Sequence, residues 1–325
     1  MKFLFLFFFH EVYIMFPKFI KVTYALLVLA LGGFFPSSAF ARNLSVVTAS
    51  FPEYDLVSHI TGNKATVRML LKPGSDPHSF DPSHADINII RKSDLFVYTG
   101  EENDDWVDDI LEDYPSINSF AFAGEVPLLT EEEIPGMPKE KDHDDHDDVD
   151  YDEHVFTSPK NDIKLLNALC ARIIALDPQN AEYYKKNCAD YAARFAELDK
   201  AFKQVVAESK SKTLIFADRF AFRYFCDDYG LTYFAAFKDC TDDYKVRRST
   251  ISFLADKVRE LNKKVILKIE LTSSAPAQDV AEKAGGVKIA VMNAGHNVTA
   301  EQLDAHVSLA DLYQNNLKVL KEALN

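Results

Sequence analysis

Four side chains in this sequence pair metal-ligand chemistry with positions where a fold can make them converge. His78 lies in Asp76-Pro77-His78-Ser79-Phe80, His154 closes an acidic tract, Glu270 follows an apolar run, and His296 sits in Asn293-Ala294-Gly295-His296-Asn297. Imidazole nitrogens and a carboxylate oxygen are donors that Zn2+ takes in tetrahedral sites, at Zn–N of about 2.0–2.1 Å. Each residue also has a plainer reading. A loop histidine can simply hydrogen-bond at the surface, and Glu270 can cap a helix or pair with a cation. His59 and His84 fall on helical patterns and read as structural, and His306 reads as a surface residue. Spacing alone leaves these alternatives open.

The elements that must position these residues are legible as a rhythm. Apolar strand-like runs at Leu44–Ala49, Ala65–Leu71 and Leu95–Tyr98 alternate with helical patterns over Pro52–Thr61, Ser83–Lys92 and Trp106–Tyr114. Such alternation predicts a parallel sheet covered on both faces. The rhythm fails over 131–153, where Asp142-His143-Asp144-Asp145-His146-Asp147-Asp148 has no apolar period. That composition cannot bury a core. His143 and His146 read as a low-affinity metal-collecting loop, with a solvated acidic linker as the equal alternative.

Order resumes with a helix over 159–176. A long helix over 179–208 follows, with Tyr184, Cys188, Tyr191, Phe195, Leu198, Phe202 and Val205 forming one apolar stripe and Asp177-Pro178 at its start. The β/α rhythm then returns in strands Thr213–Ala217, Thr232–Phe237, Val265–Ile269 and Val287–Val291. These are separated by helices Phe220–Tyr229, Ser249–Asn262 and Ala277–Ala284, with a last helix over 307–324. The expected fold is therefore α/β: two lobes, each with a mostly parallel sheet flanked by helices, joined by one long rigid helix. The expected divisions are a lobe over 42–176, a linking helix over 177–210 and a lobe over 211–325. Open sheets of this kind bind ligands beyond the carboxyl ends of their strands, where His78, Glu270 and His296 fall.

A net charge of −14 argues against nucleic acid or an anionic membrane surface as partner. Residues 1–41 read as a signal peptide starting at Met15: Lys18 and Lys21, an apolar run from Tyr24 to Phe35, and Ala39-Phe40-Ala41 before Arg42. No cysteine stands at the cleavage point, so a free periplasmic protein is expected rather than a lipid-anchored one. The four cysteines contain no CxxC pair. Cys226 and Cys240 are the expected disulfide, and Cys170 and Cys188 read as small buried hydrophobes.

Longer motifs carry a resemblance. The run Lys72 to Ser83, with Asp94-Leu95-Phe96-Val97-Tyr98 and Gly100, resembles the first ligand motif of the zinc and manganese ABC-transporter solute-binding proteins of the TroA-like superfamily. Asp152-Glu153-His154-Val155 with Ser158-Pro159-Lys160-Asn161 resembles the second, Phe220 to Leu231 the third, and Asn316-Leu317 with Leu320 the C-terminal helix. A His/Asp-rich loop between the first two is typical of the zinc-selective members. The resemblance implies two lobes on a rigid helix, one metal ion held between them, and hand-over to an ABC permease in the inner membrane; a monomer is expected. It implies His78 and His154 as ligands. Where the family carries a third ligand, usually His or Glu, this sequence has Arg219, which cannot bind a cation. His296 falls where the family has its carboxylate ligand. The expected set is then His78, His154 and His296, with Glu270 or water as fourth donor and Asp218 behind them. Replacing a carboxylate by imidazole favours Zn2+ over Mn2+ as the cargo. No HExxH, nucleophile elbow or Ser/His/Asp pattern is present, so an enzyme is not expected. Two rival readings remain: an exported zinc hydrolase with Glu270 or Asp218 as base, and a surface interaction protein with a structural metal.

Overall fold

The computed structural model describes residues 43–132, 134–136, 150–237 and 246–325, and within them short apolar runs become strands and amphipathic runs become helices in turn. The first lobe holds β1 (Leu44–Thr48), α1 (Phe51–Thr61), β2 (Ala65–Met69), α2 (His84–Ile90), β3 (Leu95–Tyr98), α3 (Asp105–Asp113) and β4 (Ser119–Ala121). Then come α4 (Pro159–Leu176) and the long α5 (Ala181–Glu208). The second lobe holds β5 (Thr213–Phe216), α6 (Arg223–Tyr229), β6 (Thr232–Ala235), α7 (Arg248–Glu260), β7 (Val265–Lys268) and α8 (Ala275–Lys283). It closes with β8 (Lys288–Val291), α9 (Ala300–Asp304) and α10 (Leu309–Ala323).

Both sheets are parallel throughout and share one topology, β2-β1-β3-β4 and β6-β5-β7-β8. Strands covered on both faces need apolar residues at every position. Val46, Val47, Leu95, Phe96 and Val97 meet that need, all fully buried. In each sheet the order reverses beside the first strand, which opens a crevice at the carboxyl ends.

Helix α5 spans 28 residues, about 42 Å at 1.5 Å per residue. Its stripe of Tyr184, Cys188, Tyr191, Phe195, Leu198 and Phe202 is buried, ending in Val206 rather than the expected Val205. The stripe belongs to a single apolar cluster that includes Val46 and Leu95 of one sheet and Leu214 and Leu267 of the other. Asp177 does not cap α5 directly. A 3-10 turn, Pro178–Asn180, intervenes, and the Asp177 carboxylate accepts from Tyr184 and Asn180 side chains at 2.6 and 2.7 Å.

Three other elements depart from expectation. Helix α6 begins at Arg223 and not at Phe220, because Phe220 turns inward to stack on Tyr233 at 3.7 Å between ring centroids. Strand β4 is three half-buried residues, too short for a periodic signal. Helix α9 is one turn, announced only by the Thr299–Gln302 capping box. A disulfide joins Cys170 of α4 to Cys188 of α5, whose Cα atoms lie 6.6 Å apart. These two cysteines are thus covalently paired, not merely buried. Cys226 is buried in α6, and its expected partner Cys240 lies outside the described residues, as do His143, His146 and the signal-like stretch 1–41. No helix among the described residues is long and apolar enough to cross a membrane.

Histidine 59 ties the first lobe to α5. Its ring stacks on Tyr191 with centroids 3.7 Å apart, and its Nδ1 lies 3.3 Å from an Asp55 carboxylate oxygen. Burial disfavours the imidazolium, yet the hydrogen bond and charge of Asp55 outweigh it and raise the pKa above the ordinary 6.5. A raised pKa stabilises the fold fully below the unfolded value, and that contribution is lost as pH rises through the folded value. Thermal midpoints of metal-free protein should therefore fall across that window, more shallowly in a His59→Gln variant. Identical slopes in the two proteins would contradict the linkage.

Candidate metal site

His78 leaves the sheet on the loop after β2. Pro77 and an Asp76 side chain that accepts from the His78 N–H at 3.2 Å set a 3-10 turn there. The loop is tied to the other lobe. Asn297 Nδ2 donates to the Lys72 and Ser75 carbonyls at 2.7 and 2.8 Å, and Gly74 N–H donates to the Val298 carbonyl at 2.8 Å.

His154 is 1% exposed and stands just before the turn Val155–Thr157. Asp152 holds it, accepting from the backbone N–H at 2.9 Å and lying 3.2 Å from Nδ1. Tyr224 O–H in turn donates to the Asp152 carbonyl at 2.8 Å.

His296 follows β8 in a turn that Gly295 makes at φ 90. That φ favours glycine, and a Cβ there would also sit 2.6 Å from Leu309 Cδ1 and have to displace that side chain. The turn aims the N–H groups of Ala294, Gly295 and His296 at Glu270, which accepts all three at 2.7, 2.8 and 3.1 Å. Glu270 Oε1 also lies 3.4 Å from His296 Nδ1.

One nitrogen from each of His78, His154 and His296 lies within 4.8 Å of the others. Ring centroids are 4.9 Å apart for His154–His296, 5.7 Å for His78–His296 and 6.2 Å for His78–His154. A small opening of about 30 Å³ beside them is lined by Asp76, His78, Arg219, Glu270, Leu271 and His296. Burial, then the neighbouring His296, His154 and Arg219, hold the His78 pKa down to about 2. The ring is therefore neutral at physiological pH and presents a lone pair. Its Nε2 is buried with no hydrogen-bond partner, which is costly unless something satisfies it. A cation would do so.

The carboxylates beside these rings have different jobs. Asp152 and Glu270 each face an Nδ1, the arrangement that fixes a ligating imidazole's tautomer and leaves Nε2 for the metal. Burial alone would raise the Glu270 pKa, but His296 and the backbone N–H groups lower it below 4.5 and keep it ionised. Glu270, expected as the fourth donor, thus has both oxygens engaged by the β8 loop. Asp218 accepts from Ile269 N–H, Thr272 Oγ1 and Arg219 N–H at 3.1, 2.5 and 2.9 Å, pinning the post-β7 turn. Arg219 reaches across to Asp76 with Nη1 2.8 Å from its carboxylate, which makes the position an ion pair between the two loops.

Replacing Glu270 by alanine should weaken metal affinity roughly 10–100-fold, the usual effect of losing such an orienting carboxylate. Competition with a chromogenic chelator would measure it. An unchanged constant would mean that His296 needs no such support.

Sequence reading missed three contributors. Asn297 and Asp152 act through hydrogen bonds that pattern does not reveal. Glu153 is fully buried, with Oε1 3.4 Å from His154 Nε2 and 3.8 Å from His78 Nδ1. Its only signal was adjacency to His154, lost among the acidic residues of the tract before it.

A family model described as zinc-uptake complex component A, periplasmic, matches residues 46–323. The chain is 29% identical over 285 residues to the zinc-binding lipoprotein AdcA of Streptococcus pneumoniae strain R6, covering 86% of this chain and 55% of that protein. It thus spans about half the length of such relatives. It is 29% identical over 289 residues to the high-affinity zinc uptake system protein ZnuA of Bacillus subtilis strain 168, covering 86% of this chain and 88% of that one. The crystal structure of the Zn(II)-bound ZnuA-like domain of Streptococcus pneumoniae AdcA matches with a TM-score of 0.72 at 27% identity, over 87% of this chain and 99% of that one.

Proposed function

The chain belongs to the family of periplasmic zinc-uptake complex component A, and from that premise we propose that it captures Zn2+ between its lobes with His78, His154 and His296 and delivers it to an ABC-type permease. One observation carries this reading: three imidazoles, brought by the β2 loop, the segment before α4 and the β8 loop, offer nitrogens within 4.8 Å of one another. A set so rich in imidazole suits Zn2+ better than Mn2+, which prefers harder oxygen donors. Zinc is cargo here, with no bond made or broken in a substrate, so the protein is a binding component and not an enzyme. The names of the relatives support zinc. The proposed setting is extracytoplasmic: a periplasmic monomer, freed from its signal peptide after Ala41, that meets a permease of the inner membrane.

The long α5, buried against both lobes, restricts closure to small movements of the loops rather than a wide hinge. Neutral His78 offers its lone pair without first giving up a proton. The test is calorimetric titration of chelator-stripped chain from Arg42 onward with Zn2+ and with Mn2+. A single tight Zn2+ site with weaker Mn2+ binding is expected, and a chain without a tight Zn2+ site would end this reading.

A further inference from the structure

With zinc as cargo, three histidines leave one position of a tetrahedral ion to fill, and Arg219 cannot fill it. Four donors at about 2.0–2.1 Å in tetrahedral array lie roughly 3.3–3.4 Å from one another. Glu153 Oε1 stands 3.4 Å from His154 Nε2, which matches such an edge, and 3.8 Å from the His78 ring at Nδ1. The residue is 0% exposed, so its carboxylate has been taken out of water and placed against two imidazoles. A carboxylate oxygen at these distances is a donor that a divalent cation between the rings would take.

Glu270 is differently placed. Both its oxygens are already taken by three backbone N–H groups. Its closest approach to His296 is at Nδ1 and not at a nitrogen turned to the other rings, whereas Glu153 approaches His154 at Nε2. Resting on the reading of His78, His154 and His296 as zinc ligands, we propose that Glu153 is the fourth ligand and that Glu270 is a positioning residue for His296. Glu153 then restores the donor lost at Arg219, and Asp76 takes up the arginine's charge.

The experiment uses the full mature chain and its Glu153→Gln and Glu270→Gln variants. Zinc affinity is read by chelator competition, and the ligand field by the visible absorption of Co2+ bound in place of zinc. Glu153→Gln should weaken zinc binding at least about tenfold and change the shape of the cobalt bands. Glu270→Gln should weaken binding while leaving the band shape intact. If the unmutated chain binds zinc tightly and Glu153→Gln matches it in both affinity and spectrum, Glu153 is not a ligand, though zinc capture stands. If the unmutated chain has no tight zinc site, the functional reading fails and this assignment fails with it. A crystal structure of the zinc-loaded unmutated chain decides without any substitution. A Glu153 oxygen at about 2.0–2.2 Å from zinc supports the assignment, and water or Glu270 in that place overturns it.

Discussion

Replacing His154 with alanine is expected to remove tight zinc binding from a protein that still folds. Structural zinc sites bind with roughly 10–16 kcal/mol at neutral pH. Shared among four donors, that is about 2.5–4 kcal/mol each, or roughly 10²–10³-fold in affinity. His154 should fall at the high end, because it is 1% exposed and packs its ring against both His296 and Phe156. Fold survival follows from location: the residue lies between a loop and a 3-10 turn, outside every sheet. Chelator competition measures the affinity and circular dichroism the fold. A variant that keeps its zinc constant within threefold would remove His154 from the ligand set.

The largest effect on stability is expected at Phe202. Its ring is fully buried in the α5 stripe, 5.0 Å from Phe225, 5.6 Å from Tyr229 and 6.3 Å from Tyr313, centroid to centroid. Truncating a phenylalanine this enclosed costs about 3–5 kcal/mol, through lost transfer energy and the cavity left behind. Neighbours on two helices other than α5 surround the hole, so it cannot collapse easily. Denaturant unfolding of Phe202→Ala should show a lower midpoint with an unchanged slope. A loss below about 1 kcal/mol would show that the surrounding rings repack. Phe195→Ala, farther along the same stripe and 6.0 Å from Tyr313, tests whether the cost belongs to the stripe or to one pocket.

How far the sequence could be read depended on the range of the forces involved. The α5 stripe was legible because seven apolar residues recur at helical spacing, and periodicity is a local signal. Parallel strands were legible because burial on both faces leaves continuous apolar runs. The approach of His78, His154 and His296 rested instead on motifs, since nothing local to position 78 specifies position 296. Pairings set only in three dimensions were out of reach. The Cys170–Cys188 disulfide depends on how α4 packs along α5. The Asn297 bridge to Lys72 and Ser75 joins residues more than two hundred positions apart. Glu270 shows the same limit: its residue type suggested a metal donor, but only the turn at Gly295 reveals three N–H groups aimed at it.

The chain has a single tryptophan. Trp106, in α3, lies edge-on to Phe80 with centroids 5.5 Å apart, and Phe80 follows His78 by two residues. The protein therefore carries its own optical reporter in the first lobe, in contact with the β2 loop. Emission is expected to report on the His78 loop during a zinc titration, with no dye attached. During unfolding it is expected to report chiefly on the first lobe while circular dichroism registers both, so any separation between the two traces measures how tightly the shared spine makes the lobes melt as one.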